Sequence, residues 1–444
     1  MSIKSEDDAV AVLEKAKQTG EPRPPKWDWV ERSVWTERML EALEKGVKGG
    51  VWFSLIDKVY RLGTLELAWR RVKANGGSAG TDNQTIEGFE RDLARNLAKL
   101  SEELKNGTYH PRPIRRKYID KPGSKEKRPL GIPAVRDRVV QAALRIVMEP
   151  IFEYIFAEHS YGFRPGRGCK DALRQVEQLL KAGYTWVVDA DLKRYFDSIP
   201  HGRLMEEIKR YIADSRVLGL LEGFLKQGIL DGMEHWTPER GTPQGAVISP
   251  LLSNLYLHPV DKVMAGAGYE MIRYADDFVI LCRSREEAEA AMELVEKLTN
   301  DRELTLHPEK TKIVDVSQPG IGFDFLGYHF ERGTRWPRKK SLKKLKDTIR
   351  IKTRRSNGHS MEAIVTTLNL TLKGWFEYFK HSHKTTFRLL DGWIRRRLRS
   401  ILRIRAHRKG ISRGFDHIRW PNKYFQDLGL LNLEVAHRAL LRPS

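Results

Sequence analysis

The hydrophobic pattern changes period along the chain, and the changes mark its elements. Between 35 and 75, apolar positions recur at helical spacing around Met39 and Leu43 and again at Leu55, Val59, Leu62 and Leu65, with Gly49-Gly50 between the two patterns. Ala74-Asn75-Gly76-Gly77 closes that block, and a further amphipathic helix is predicted over 84–106, stopped by Asn106-Gly107. Residues 118–120 read as a strand entering a glycine turn at Pro122-Gly123. An extended Arg128-Pro129-Leu130-Gly131-Ile132-Pro133 segment follows, then an apolar helix over 135–157. Residues 1–34 form a tail or linker, because the proline cluster at 22–25 cannot continue the weak acidic helix before it.

The stretch 185–316 is the most regular. Residues 185–192 (TWVVDADL) are a short apolar run with β-branched residues, the signature of a buried strand. Helical spacing follows over 202–228, and Pro250 opens a helix carrying Leu251, Leu252, Leu255, Leu257 and Val260. Two short strands, 269–274 and 278–283, are joined across Ala275-Asp276-Asp277 as a hairpin. Ser284 and Glu287 stand at capping-box spacing before an apolar stripe of Ala288, Ala291, Met292 and Val295, and 311–316 returns as a strand. The order β, helices, β, β, α, β is that of the split βαβ, ferredoxin-like arrangement. Beyond 340 the pattern is helical, with breaks at Asn357-Gly358 and Lys409-Gly410.

Charge adds a partner to this outline. The 444 residues, enough for two to four domains, carry a net charge of +21. Residues 331–420 alone hold 26 Lys+Arg against 6 Asp+Glu, so nearly all the excess lies there. These cations are interleaved with Trp336, Trp375, Phe376, Tyr378, Phe379, Trp393 and Trp420, a composition suited to a polyanion, and above all a nucleic acid. Two cysteines exclude a disulfide framework and a four-cysteine zinc site. No run reaches the ~18 apolar residues of a membrane span. With no secretory signal at the N-terminus, a cytoplasmic chain is expected.

The candidate chemistry lies in the carboxylates. In a ferredoxin-like sheet the first strand and the central hairpin are neighbours, so Asp191 can converge with Asp276 and Asp277 on one edge. Three such charges repel one another strongly, and a divalent cation removes that cost. Hard oxygen ligands of this kind suit Mg²⁺, and two ions can activate an attacking hydroxyl and stabilise a leaving pyrophosphate, which is nucleotidyl transfer.

Tyr274-Ala275-Asp276-Asp277 resembles the Y-x-D-D box of reverse transcriptases, and the chain from about 35 to 442 resembles the reverse transcriptase/maturase encoded by bacterial group II introns. Further blocks stand in the family's order. They are Gly80-Thr81-Asp82, the 128–133 segment with Asp137-Arg138-Val139-Val140-Gln141, Ser160-Tyr161-Gly162-Phe163-Arg164-Pro165-Gly166-Arg167, and the run 191–197. Gly241-Thr242-Pro243-Gln244-Gly245, Phe325-Leu326-Gly327-Tyr328, Gly374-Trp375-Phe376-Glu377-Tyr378-Phe379 and Asp391-Gly392-Trp393-Ile394-Arg395-Arg396-Arg397 complete them.

The resemblance implies an α+β right-hand polymerase. It would have a tail (1–34), a helical N-terminal extension (35–110), fingers (111–184), a ferredoxin-like palm (185–334) and a basic helical thumb, or maturase domain (335–444). It implies two Mg²⁺ ions on Asp191, Asp276 and Asp277 with help from the Leu192 carbonyl. Asp189 is the rival first-strand ligand, and Asp191 is preferred because Phe196 then falls where the family places its sugar gate. Lys121 and Arg128 would grip the triphosphate, Gln244 would approach the nascent base pair, and Lys310 would serve the leaving pyrophosphate. Phe325, Leu326, Gly327 and Tyr328 would be the primer grip. Arg164, Arg167, Lys373, Trp375, Trp393, Arg395, Arg396 and Arg397 would contact nucleic acid.

The implied partners are an RNA template that includes the intron RNA, a DNA primer or target DNA, and dNTPs, with nucleoid association during action on DNA. The loop after Gln244 reads Gly245-Ala246-Val247-Ile248-Ser249-Pro250 where the family has Gly-Gly-Val-Leu-Ser-Pro, a set of small apolar exchanges. The cysteine pairs of the C-terminal nuclease carried by many relatives are missing, so priming from a strand supplied elsewhere, such as a replication fork, is expected. Two alternatives share the motifs: an RNA-binding splicing factor with a vestigial site, and a reverse transcriptase recruited to defence or repair. The intact carboxylate set argues against the first.

Overall fold

The computed structural model describes residues 27–120 and 127–441. Lys121, the turn at Pro122-Gly123 and the acidic helix expected near the N-terminus lie outside them. The first block folds as helices Glu37–Lys45, Ile56–Val59 and Leu62–Asn75. The single helix expected over 84–106 is two, Ile86–Arg91 and Leu93–Asn106, because Asp92 (φ −116°, ψ 37°) leaves helical geometry between them. Thr85 starts the first by accepting from the Gly88 N–H at 3.0 Å, and Gly107 ends the second in the left-handed region.

Strands β1 (Ile114–Asp120) and β2 (Lys127–Ile132) pair antiparallel, followed by the apolar helix Val135–Ile155 and the helix Cys169–Lys181. After β3 (Trp186–Asp191), the helical stretch divides into His201–Lys209 and Ser215–Leu225, the second capped by Asp214. A small hairpin that the periodicity did not reveal, β4 (Ile229–Asp231) and β5 (Glu234–Trp236), joins the first sheet in the order β2-β1-β4-β5, with β1 and β4 parallel.

The palm is the four-stranded sheet β6-β7-β3-β8, where β6 is Glu270–Tyr274, β7 Asp277–Cys282 and β8 Lys312–Asp315, with every pairing antiparallel. This is the split βαβ order expected from the sequence. Helix Arg285–Asn300 is capped by Ser284 Oγ, which accepts from the Glu287 N–H at 3.2 Å. The Glu287 carboxylate reaches back to the Arg283 N–H at 2.7 Å.

Alternation along β3 and β7 assigns the two faces of the palm. Val188, Ala190, Phe278 and Ile280 point into the main core, shared with helices Val135–Ile155 and Ser249–Gly266. Val187, Val279 and Leu281 point the other way. They pack on Ala172, Leu173 and Val176 and on a third sheet made of β9 (Phe323–Phe325), β10 (Tyr328–Glu331) and β11 (Thr334–Pro337) in the order β11-β10-β9. Helices Lys339–Lys352, Met361–Phe379 and Thr385–Arg405 then enclose a core of their own around Ile349, Leu368, Leu372, Ile394 and Leu398. Fingers, palm and thumb together form the expected α+β right hand.

Candidate active site

Strand register brings the acids together. Asp191, the last residue of β3, lies directly across from Asp277, the first of β7. Directly opposed residues on one face stand about 5 Å apart at Cβ, and like charges so placed destabilise a sheet. Asp189 shares that face two residues back, beside Lys312 Nζ at 4.0 Å. Asp276 occupies the turn between β6 and β7, where the last rung pairs Tyr274 with Asp277 and Ala275 is left-handed at φ 60°.

A buried guanidinium holds this turn. Arg273, 1% exposed, donates from Nη1 to the Ala275 carbonyl at 2.9 Å and to Asn254 Oδ1 at 3.0 Å. Its other edge makes a two-point contact with Asp261, with Nε to Oδ1 at 2.6 Å. Asn254 Nδ2 in turn donates to the Gly162 carbonyl at 2.6 Å, and Gly162 lies flat against the turn. Neither Arg273 nor Gly162 was assigned a role from sequence, although an arginine directly after the apolar pair Met271-Ile272 is a signal in itself.

Burial first, then the charges of Asp189, Asp191 and Asp276, push the Asp277 carboxyl up to about 7. Burial raises Asp189 to about 6, with Asp324 and Asp191 reinforcing the shift and Lys312 opposing it. Asp276 is also raised, chiefly by burial and next by Asp191, against its own backbone N–H and the positive charges of Arg128 and Arg273. Lys310 Nζ contacts Asp191 Oδ2 at 2.5 Å. Among the described residues, no three acidic, histidine or cysteine side chains stand gathered into a group that could hold an ion. The donor chemistry nevertheless fits a hard divalent cation, since every donor is a carboxylate oxygen and the acids disfavour one another's charge.

Two of the expected nucleotide-binding residues, Arg128 and Gln244, meet on the fingers side. Arg128 Nε donates to Gln244 Oε1 at 2.6 Å, and Gln244 Nε2 approaches Asp197 Oδ1 at 3.4 Å. The loop bearing Gln244 is seated on β2 by a Gly131 N–H to Gln244 carbonyl bond of 2.6 Å. Gly245, at φ +107°, lies so close to the Gly131 carbonyl that no side chain fits. Phe196 is buried in the short helix Tyr195–Ser198, edge-on to Tyr195 at 5.5 Å, and its carbonyl accepts from the Thr242 N–H at 2.7 Å. Leu192 follows directly on β3, bridging to Leu306.

Phe325, Leu326, Gly327 and Tyr328 form the β9–β10 hairpin tip, which stands between the palm face and the thumb helix Met361–Phe379. The Leu326 N–H weakly favours the ionised form of the Asp277 carboxyl, against the burial that raises it.

One expected nucleic-acid contact, Arg164, is corrected, and a second, Trp375, is half-buried. Arg164 is internal, its side chain 2% exposed. It makes a forked contact with Glu153 (2.9 and 2.7 Å), donates to the carbonyls of Ala157 and Ser160, and lies over the Phe156 ring. Four of its five N–H donors serve the fold, and its burial closes the side chain to a phosphate. Trp375 is stacked on Phe379 at 4.8 Å and set edge-on to Phe387, joining the thumb core to the palm. Arg167 is half-buried over Tyr161. Lys373 and Arg396 are exposed, and Arg395 is half-buried. Arg397 donates to Thr353 Oγ1 at 2.6 Å, and with Lys346 and Arg350 it lies within 5.8 Å of the Trp393 ring centre.

Residues 119–330 match the family of reverse transcriptases (RNA-dependent DNA polymerase), and residues 342–420 match the group II intron, maturase-specific domain. The chain is 40% identical over 198 residues to Group II intron-encoded protein LtrA of Lactococcus lactis subsp. cremoris, a stretch covering 44% of this chain and 32% of that one. It is 37% identical over 292 residues to Protein YkfC of Escherichia coli strain K12, covering 57% of this chain and 76% of YkfC. A solved structure described as a partial Cas6-RT-Cas1--Cas2 complex matches with a TM-score of 0.37 and 25% identity, over 56% of this chain and 42% of that one. The chain spans about a third of the length of LtrA. It belongs to the family of group II intron reverse transcriptase/maturases, with a reverse transcriptase module and a maturase-specific module in tandem. Among the described residues, no helix is long and apolar enough to cross a membrane.

Proposed function

We propose that this protein is an RNA-directed DNA polymerase that extends a primer with dNTPs on an RNA template. In the same reading it binds a group II intron RNA as a splicing maturase and supports retromobility, in the cytoplasm and on the nucleoid. One observation carries the polymerase reading: Asp191 directly opposite Asp277, with Asp276 at the adjoining turn. Opposed like charges at a sheet edge weaken a fold, so their concentration here is explained by a ligand that needs them.

Asp191, Asp276 and Asp277, with the Leu192 carbonyl, would hold two Mg²⁺ ions, which when bound supply activation of the primer hydroxyl and neutralise the leaving pyrophosphate. Arg128 and Lys121 bind the triphosphate by charge-assisted bonds, and Gln244, held by Arg128, lies against the incoming base pair. The Phe196 ring excludes a ribose 2′-hydroxyl. Lys310 Nζ stands beside Asp191, from where it can serve the pyrophosphate oxygen. The β9–β10 tip grips the primer end. Arg167, Lys373, Trp393, Arg395, Arg396 and Arg397 contribute to binding the duplex and the intron RNA.

The test is single-nucleotide primer extension with Mg²⁺ on an RNA template. Asp276→Ala should abolish synthesis while RNA binding stays nearly intact. Synthesis that survived this change would remove the catalytic assignment. RNA binding without any synthesis by the unaltered protein would favour the vestigial-site splicing factor.

A further inference from the structure

The loop 241–245 is held by the fingers at one end and by the palm at the other. At the fingers end the Gly131 N–H donates to the Gln244 carbonyl at 2.6 Å. At the palm end the loop is tied to the segment that carries Phe196. The Gly241 N–H donates to the Ile199 carbonyl at 2.8 Å, the Thr242 N–H donates to the Phe196 carbonyl at 2.7 Å, and Arg240 bridges antiparallel to Pro200. Gly241 makes this approach possible. Its φ is +91°, and a Cβ there would stand 2.9 Å from the Phe196 carbonyl oxygen and 3.0 Å from the Asp197 Cα. Gly241 is itself buried, where a carbonyl without a donor is costly. Its donor is a side chain: His201, 8% exposed at the start of helix His201–Lys209, places Nε2 2.7 Å from the Gly241 carbonyl oxygen. A carbonyl only accepts, so the ring carries a proton on Nε2 and donates it. Burial, reinforced by Lys226, holds the imidazole below its ordinary value against the pull of this bond, so the ring is neutral at pH 7.

We infer that His201 is a positioning residue for nucleotide selection: by holding the Gly241 carbonyl it fixes the palm end of loop 241–245, and so sets Gln244 and Phe196 relative to each other. The inference rests on the polymerase reading and adds to it a common support for base-pair contact and sugar exclusion. Both functions depend on placement, and a binding constellation tolerates displacement of only about 0.5 Å. With the His201 donor removed, the Gly241 peptide is free to turn toward another partner. The Thr242 N–H then no longer meets the Phe196 carbonyl at a fixed distance, and Gln244 is left with its fingers-side contacts to Gly131 and Arg128. The loss falls on nucleotide binding and on sugar choice, and the acids on β3 and β7 keep their own register.

His201→Leu keeps the bulk and removes the donor. His201→Asn is polar but too short to reach the carbonyl, and His201→Gln restores an N–H at a similar reach. In the full chain with Mg²⁺, an RNA template and a DNA primer, single-nucleotide addition is followed against dNTP concentration and repeated with rNTPs. His201→Leu and His201→Asn should each raise the KM for dNTP about tenfold and narrow the preference for dNTP over rNTP by a similar factor, while kcat and primer–template affinity stay within about twofold. His201→Gln should restore most of both. Independently of activity, amide exchange over residues 241–246 should quicken about tenfold in the Leu and Asn proteins and stay close to that of the unaltered protein in the Gln protein. An unaltered KM and sugar preference in His201→Asn, or a His201→Gln protein as impaired as His201→Asn, overturns the inference. If the unaltered protein adds no nucleotide, the polymerase reading fails, and the exchange comparison alone decides whether His201 holds the loop.

Discussion

Gly162 lies against Ala275: a Cβ built on Gly162 would stand 3.0 Å from the Tyr274 carbonyl carbon and closer still to the Ala275 nitrogen. The Ser160-to-Arg167 segment is thus the floor on which the acidic turn rests, clamped by the Tyr161 N–H to Arg273 carbonyl bond of 2.8 Å and the Arg273 N–H to His159 carbonyl bond of 2.9 Å.

Replacing Gly162 with alanine should lift the turn. The backbone opposite cannot yield as a flexible side chain would, so primer extension should fall by about 100-fold while template binding changes little. A Gly162→Ala protein with full extension activity would show that the turn tolerates displacement.

Arg273 and Asp261 separate stability from function. Arg273→Met leaves Asp261 buried without its partner and should cost about 3–5 kcal/mol in urea unfolding. The double change Arg273→Met with Asp261→Leu should recover most of that stability but not extension, because the Ala275 carbonyl still lacks its donor. Recovery of both together would mean that the arginine acts only as a structural ion-pair member.

Asp137 gives a pH signature away from the active site. Its carboxyl accepts from Tyr109 Oη at 2.6 Å, the Arg112 N–H at 2.9 Å and Gln227 Nε2 at 3.0 Å, yet burial dominates and raises it to about 6 from an ordinary 3.8. The folded form therefore keeps a proton that the unfolded chain has released. This contribution to stability is full below about pH 4 and disappears as pH rises through about 6. Measured against Asp137→Asn, the unaltered protein should become less stable by about 1 kcal/mol between pH 5 and pH 7. Parallel stability profiles for the two proteins would contradict this.

Phe196→Ala should raise rNTP incorporation relative to dNTP by about tenfold or more, by removing the ring that excludes the 2′-hydroxyl. Unchanged sugar selectivity in competitive extension would transfer that role to another side chain.

Arg395→Ala combined with Arg396→Ala should weaken RNA binding and flatten its salt dependence, by about 0.7–0.9 in the log–log slope for each phosphate that is no longer neutralised. A titration from low to high salt reads this directly, and an unaltered slope would count against a thumb contact there.

What the sequence by itself determined was local in origin. The short apolar, β-branched run holding Val187, Val188 and Ala190 marked β3. The turn Ala275-Asp276 marked the β6–β7 hairpin, and the Ser284/Glu287 pair marked the following helix. The ferredoxin-like order of those elements then made Asp191 and the hairpin acids neighbours, and the basic stretch after 331 pointed to a polyanion. Each of these depends on residues a few positions apart, which is the range over which side-chain pattern and turn chemistry act.

Only the tertiary structure decided which side chains are free to act. Arg164 resembles a binding residue in sequence, but Glu153 and the Phe156 ring enclose it. Conversely, Arg273 and Gly162 stand close to the acids through contacts with Asn254 and Ala275. The β4–β5 hairpin and the β9–β11 sheet were missed because strands of three or four residues give too little alternation to stand out. Whether a guanidinium binds a phosphate or a buried carboxylate depends on what the fold brings to it from distant positions, and no local period encodes that.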